Sequence, residues 1–182
     1  MTQYILSNKE MSKADLLTIE SGISSLDLMF NAGKKVFNNL PVQRGKRALF
    51  ICGPGNNGGD GYVAADLILK QGMEIDIYCP VSKAKESNDN LHYKQKLNKS
   101  LFVSKIRSLS NYCYVVDALF GTGLSRTMSD DLSSLVSKIN QSKLDVFSVD
   151  IPSGINGDTS AVLGEAFKAS KTITFFNKKK CH

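Results

Sequence analysis

A run of five apolar residues at 48–52, Ala-Leu-Phe-Ile-Cys, breaks at once into Gly53-Pro54-Gly55-Asn56-Asn57-Gly58-Gly59-Asp60-Gly61 and then into a helical pattern. Unbroken apolar character over that length describes a strand covered on both faces, which is the habit of a parallel sheet. Residues 60–71 follow with Ala64, Ala65, Leu67 and Ile68 as apolar positions, and Gly72 stands where a helix commonly ends in a left-handed residue. Another apolar-rich run at 75–79, closed by Pro80, returns to a strand. The four pieces make one strand-helix-strand unit with a glycine-rich loop at its first corner.

The rest of the chain repeats that alternation. Residues 112–117 and 145–150 predict two more buried strands, separated by a helix capped by Ser129 with Leu132, Leu135, Val136 and Ile139 facing inward. Residues 172–176 predict a last strand. Upstream, Ser12-x-x-Asp15 and Ser24-x-x-Asp27 resemble capping boxes, each opening a helix. In the second helix Met29, Ala32, Val36, Phe37 and Leu40 form a core stripe that Pro41 stops. Residues 82–100 are strongly polar and predict an exposed helix anchored by Leu91 and Leu97, with His92 at the surface. The fold class that follows is α/β, with a mainly parallel sheet covered on both faces, as a single domain over residues 1–182. A hydrophobic content of 42% over that length suits one core.

Several function classes fall away. The 23 basic residues against 17 acidic are spread in twos and threes, without the basic and aromatic interleaving of a nucleic-acid face. Cys52, Cys79, Cys113 and Cys181 stand singly with only His92 and His182 as imidazoles, so neither a disulfide framework nor a zinc site is supported. The first residues carry no leader pattern and no apolar run is long enough to span a bilayer. A cytoplasmic protein without membrane or nucleic-acid partners is the expectation.

In such a sheet ligands lie beyond the carboxyl ends of the strands, which singles out three loops. The first contains Gly53-x-Gly55-x-x-Gly58, a dinucleotide spacing, with Asp76 downstream as a possible ribose partner. Asp60, read at the start of its helix, either caps it or repels a pyrophosphate there. The second loop follows Asp117 with Gly121-Thr122-Gly123, suited to an anion, and with Arg126. The third follows Asp150 with a turn at Pro152-Ser153-Gly154. Asp60, Asp117 and Asp150 converging with Asn56, Asn57 and Ser153 call for a cation or proton among them, and the oxygen donors suit a hard ion.

Gly-Pro-Gly-Asn-Asn-Gly-Gly-Asp-Gly, Val-Asp-Ala-Leu-Phe-Gly-Thr-Gly-Leu-Ser-Arg and Asp-Ile-Pro-Ser-Gly-Ile-Asn-Gly-Asp, in this order, resemble the NAD(P)H-hydrate epimerase family, also called the YjeF N-terminal domain family. Glu20-Ser21-Gly22-Ile23 with residues 28–33 is similar to its N-terminal helix signature. The resemblance implies a Rossmann-like three-layer domain, a homodimer binding one potassium ion per subunit, that interconverts the R and S epimers of hydrated NADH or NADPH. A separate dehydratase is the implied functional partner. By position, Asn57, Asp117 and Ser153 would hold potassium; Asn56, Asn57, Gly58, Gly59, Asp60, Gly121, Thr122, Gly123, Leu124, Ser125, Arg126, Thr127 and Asp150 would contact the hydrate. The reaction calls for an acid and a base, for which Asp150 and Asp60 are the candidates, Asp150 favoured because it ends a buried strand, and Lys179 falls where the family often has a lysine. The family normally continues for one more strand and helix, so the sheet is expected to lack that edge. Members also serve as non-catalytic binding or scaffold modules, the alternative reading.

Overall fold

The computed structural model describes residues 5–81 and 84–182. Six strands form one wholly parallel sheet: β1 (Arg47–Cys52), β2 (Glu74–Tyr78), β3 (Phe102–Val103), β4 (Tyr114–Ala118), β5 (Asp145–Val149) and β6 (Lys171–Ile173). Their order is β3-β2-β1-β4-β5-β6, which reverses direction between β1 and β4. That is the strand order of doubly wound dinucleotide folds, and the reversal opens a crevice above the carboxyl ends of β1 and β4.

Alternation along the strands builds two cores. Ala48, Phe50 and Cys52 of β1, with Tyr114, Val116 and Ala118 of β4, face α2 (Ser25–Phe37) and α3 (Asn56–Lys70). Leu49, Ile51 and Val115 point the other way, toward Val136 and Ile139 of α5 (Asp130–Gln141). Burial on both faces is why these strands read as unbroken apolar runs. The remaining helices are α1 (Asn8–Glu20), near the crevice, and α4 (Asn88–Gln95).

Ser24 caps α2 as expected, its hydroxyl accepting from the Asp27 amide. Ser12 does not open a helix. It lies inside α1, whose cap is Ser7 in a reciprocal box with Glu10. α2 ends at Phe37, before Pro41. Helix α4 begins after Ser87, and its anchors are Asn90 and Leu97, whereas Leu91 is 39% exposed. Ser82 and Lys83, at the start of the polar segment assigned to this helix, lie outside the described residues. The last strand stops at Ile173, and Phe176 is 79% exposed with a left-handed backbone. The two-residue β3 carries too little pattern to be seen in sequence.

The largest shift concerns α3, which starts at Asn56 and not at Asp60. A glycine cluster reads as a turn, yet Gly58, Gly59 and Gly61 are helical here, and they are glycine because their neighbours leave no room for a side chain. A Cβ on Gly58 would lie 2.0 Å from the Gly53 carbonyl oxygen, one on Gly59 2.3 Å from the Met29 sulfur, and one on Gly61 2.6 Å from the Ala118 Cβ. Asp60 is therefore one turn inside the helix and buried.

Gly33 of α2 is the matching contact on the other helix: its Cβ would lie 2.4 Å from the Val63 Cβ and 2.7 Å from the Asp60 carbonyl. Gly33→Ala is expected to lower stability by about 1–3 kcal/mol, the usual cost of overpacking, despite alanine's better helix propensity. Urea denaturation of the two proteins checks this; equal or raised stability in the variant would mean that α2 and α3 are not in contact there.

Candidate active site

β4 and β5 are paired with Asp117 opposite Ser148, and the site is built outward from that rung. The Asp117 carboxylate, fully buried, accepts from the Ser148 hydroxyl (2.8 Å), the Ser153 amide (2.8 Å), the Ser153 hydroxyl (2.6 Å) and the Leu119 amide (3.3 Å). Burial raises its pKa to about 6, against the opposing pull of the Ser153, Ser148 and Leu119 hydrogen bonds. Ser153 Oγ also accepts from the Phe120 amide at 2.8 Å and lies 3.0 Å from the Phe120 carbonyl oxygen. Next in chain, Gly121 sits against both Asn57 and Asp150: a Cβ there would be 3.1 Å from Asn57 Oδ1 and 3.4 Å from Asp150 Oδ2.

Asp150 follows β5 with φ of 65°, a left-handed conformation that costs a non-glycine residue energy and is held by the surroundings. Its amide continues the sheet to the Ile173 carbonyl at 2.8 Å. Lys179 Nζ, 1% exposed, forms a buried ion pair with Asp150 Oδ1, and also donates to Thr174 Oγ1 at 2.8 Å. His182 spans the pair: Nδ1 accepts from the Lys179 amide (3.0 Å), which leaves Nε2–H to donate to the Asp150 carbonyl (2.9 Å).

Asp60 completes the group from α3. Burial, with the negative charges of Asp150 and then Asp15 added, pushes its pKa well above the ordinary carboxylate value, and Lys179 only partly offsets this. Asp15, at the surface of α1, is itself raised by partial loss of water, with Lys179 lowering and Asp150 raising. The two buried carboxyls thus differ: Asp60 favours the protonated form, and Asp150 faces a buried ammonium.

The residues singled out in sequence distribute as follows. Asn57, Gly121, Asp150, Asp117 and Ser153 form one continuous cluster, and Asp60 lies near enough for the Asp150 charge to raise its pKa. Asn56 sits at the first turn of α3, its Oδ1 accepting from Ser87 Oγ at 2.8 Å. Gly58 and Gly59 are buried packing contacts. The Thr122 carbonyl accepts from Asn8 Nδ2 at 3.0 Å, and Gly123 is exposed with open space at its Cβ position. Leu124 is a core side chain packed with the α5 face. Ser125, Arg126 and Thr127 are exposed. Asp76 is not at a ribose position: it is buried in mid-strand, paired with Arg47 (2.6 Å) and Arg107 (3.1 Å) and accepting from Tyr112 (2.8 Å).

Sequence reading missed Asn90, Thr174, Asn8 and the bracing by His182. Asn90 Nδ2 donates to the carbonyls of Gly53 (3.0 Å) and Gly55 (2.8 Å), fixing the glycine loop from a helix that looks featureless. Asn57 Nδ2 is buried and has no partner among the described residues. The oxygen atoms of Asn57, Ser153, Phe120 and Asp117 have the chemistry of a hard-cation donor set, so these residues fit such an ion.

A family model described as the YjeF-related protein N-terminus matches residues 25–181. A protein of Oenococcus oeni named NAD(P)H-hydrate epimerase is 37% identical over 98% of this chain and 88% of its own length. One of that name from Lentilactobacillus buchneri is 35% identical, over 96% and 83%. The bifunctional NAD(P)H-hydrate repair enzyme of Thermofilum pendens is 38% identical over 85% of this chain, which spans 32% of it. A crystal structure of the yeast protein ynu0 (YNL200c) superposes with a TM-score of 0.81 at 23% identity, covering 98% of this chain and 82% of the yeast chain.

A raised pKa at Asp60 means that its carboxyl stabilises the fold fully only below the ordinary value of 3.8, and that this contribution is lost as pH rises through the folded value. Asp60→Asn removes that titration. The variant is expected to be more stable than the parent at pH 7, with the difference shrinking toward pH 4, as measured by urea midpoints across the range. Parallel pH profiles would place Asp60 in ordinary solvent.

Proposed function

The chain belongs to the family of the YjeF-related protein N-terminus, and from that premise we propose that it is an NAD(P)H-hydrate epimerase, interconverting the R and S forms of hydrated NADH and NADPH. The observation that carries the proposal is the pairing of a buried carboxylic acid, Asp60, with a carboxylate and ammonium couple, Asp150 and Lys179, above one sheet end. A carboxyl that burial pushes toward its protonated form, beside one held in an ion pair, supplies the two unlike groups that acid-base chemistry requires.

Epimerisation at the hydrated carbon requires hydroxide to leave and water to add on the opposite face. Asp60 gives its proton to the departing hydroxyl, which leaves as water while the ring nitrogen lone pair forms an iminium. Asp150 then takes a proton from the incoming water, whose oxygen bonds the carbon and returns the electron pair to nitrogen. One proton has left Asp60 and one has reached Asp150; exchange with solvent resets both. Lys179 pairs with Asp150 and aims it, and Thr174 and His182 fix that couple. Asn57, Asp117 and Ser153 would hold a potassium ion whose charge ties the loops after β4 and β5 together. The scaffold reading is disfavoured because a retired site has no need to keep a destabilising buried acid.

A homodimer and a cytoplasmic setting belong to the same proposal; among the described residues no helix is long and apolar enough to cross a membrane. Coupling to a separate dehydratase draws support from relatives named bifunctional NAD(P)H-hydrate repair enzymes, of which this chain spans about a third.

Supplied with the R hydrate, the purified chain is expected to form the S hydrate, and Asp150→Asn to slow this by about 100- to 10,000-fold. Full activity in that variant would remove Asp150 from the mechanism. Potassium chloride, against choline chloride at equal ionic strength, is expected to raise the melting temperature, and Ser153→Ala to abolish the rise; an ion-independent melting curve would strike potassium from the assignment.

A further inference from the structure

Over the sheet face beside the end of β2, between residues 104–109 and α5, lies a cavity of about 450 Å³ that the acid-base chemistry does not use. Its origin is topological. A doubly wound sheet normally covers this face with a helix between its third and fourth strands. Here residues 104–113 make that link with a single 3-10 turn, Leu109–Asn111, so a loop and the flank of α5 leave a hollow beside Tyr78.

The lining is specific in chemistry. Tyr78, Ile106, Leu135 and Ile139 give aromatic and aliphatic walls, and the volume suits a small ligand. Lys105 and Lys138 are exposed at the rim and pair with no acid among the described residues. Arg107 commits Nε to Asp76 at 3.1 Å, leaving its other nitrogens unpaired among the described residues. Among the described residues no carboxylate lines the cavity.

Dinucleotide folds distinguish their ligands at this place: an acidic residue after the second strand grips the ribose diol, whereas a basic one accepts a 2′-phosphate. Here Tyr78 ends β2 and the nearest strand acid, Asp76, is locked in its buried pairs. From β2 to β5, across β1 and β4, is three strand spacings, about 14 Å. Between the two ends stand Gly121 and the N-terminus of α3, whose cap, Gly55, offers no side chain to its amides. That layout matches two nucleosides joined by a pyrophosphate, with the reacting ring at Asp150.

We propose that the cavity receives the adenosine end of the substrate and that Lys105, Arg107 and Lys138 select its 2′-phosphorylated form, hydrated NADPH over hydrated NADH. The assignment rests on the epimerase reading for the identity of the ligand, not for the existence of the subsite.

The test uses the full chain and three probes followed by calorimetry: adenosine 2′,5′-bisphosphate, its 3′,5′ isomer of equal charge, and adenosine 5′-monophosphate. The 2′,5′ probe is expected to bind about tenfold tighter than either of the others, the scale of one charge-assisted hydrogen bond. The double variant Lys105→Gln/Lys138→Gln should erase that margin with an unchanged unfolding curve, and should raise KM for hydrated NADPH while leaving kcat in place. Equal affinities, or a margin that survives the double variant, would overturn the proposal. A chain that prefers the 2′,5′ probe in this way yet turns over neither hydrate would sink the epimerase reading and keep the subsite; turnover without the margin would do the reverse.

Discussion

The crevice depends on one buried carboxylate. Asp117 ends β4 inside the sheet, where a charge is costly unless every lone pair is engaged. Its four donors come from β5, from the loop after β4 and from the loop after β5, so satisfying one side chain fixes three segments. Ser153 relays that order to Phe120, and Phe120 adjoins Gly121, against which Asn57 and Asp150 pack. A change that loosens Asp117 would therefore reach Asn57 and Asp150 without touching them.

Above that anchor, neighbouring carboxyls are given different surroundings. Lys179 arrives from a part of the chain 29 residues beyond Asp150 and is almost wholly buried against it. Asp60 has no such partner among the described residues and sits on a helix that glycines allow to press close. Removing one member of a buried pair leaves an uncompensated charge, which is why such pairs resist loss once a site depends on them. The cost of burying Asp60 is carried by the packing of α2 on α3.

Much of this was legible in the sequence, and the rest was hidden for identifiable reasons. Strands buried on both faces announce themselves as apolar runs, so β1, β2, β4 and β5 and the loops that follow them were placed within a few residues. Asp60 was misplaced because glycines 58, 59 and 61 carry the signature of a turn, whereas close contacts with Gly53, Met29 and Ala118, distant in sequence or invisible to periodicity, are what require glycine inside a helix there. Asp76 fitted a ribose partner by spacing, but two arginines and a tyrosine claim it. Lys179 had a position without a role, since a long-range ion pair leaves no local pattern. Asn90 was silent for the same reason: its hydrogen bonds reach 37 and 35 residues back along the chain.

On the proposed reading the crevice is electrically polarised along its length. Its β5 end holds the buried Asp60 carboxyl, the Asp150–Lys179 ion pair and, at the surface, Asp15. Its β2 end holds lysines and an arginine around an aromatic wall, with the amide dipoles of the α3 N-terminus between. A ligand whose phosphates cluster toward one end and whose damaged ring is neutral and hydroxylated meets complementary charge in one orientation and none in the other. Reversal would take the phosphates from the lysines and the α3 amides into a buried site whose ammonium is already held by Asp150, which leaves their charge unsatisfied away from water. Pairing Lys179 with Asp150 and leaving Asp60 to favour its neutral form therefore also orients the substrate, because the ring end of the crevice has no free cation to offer a phosphate among the described residues.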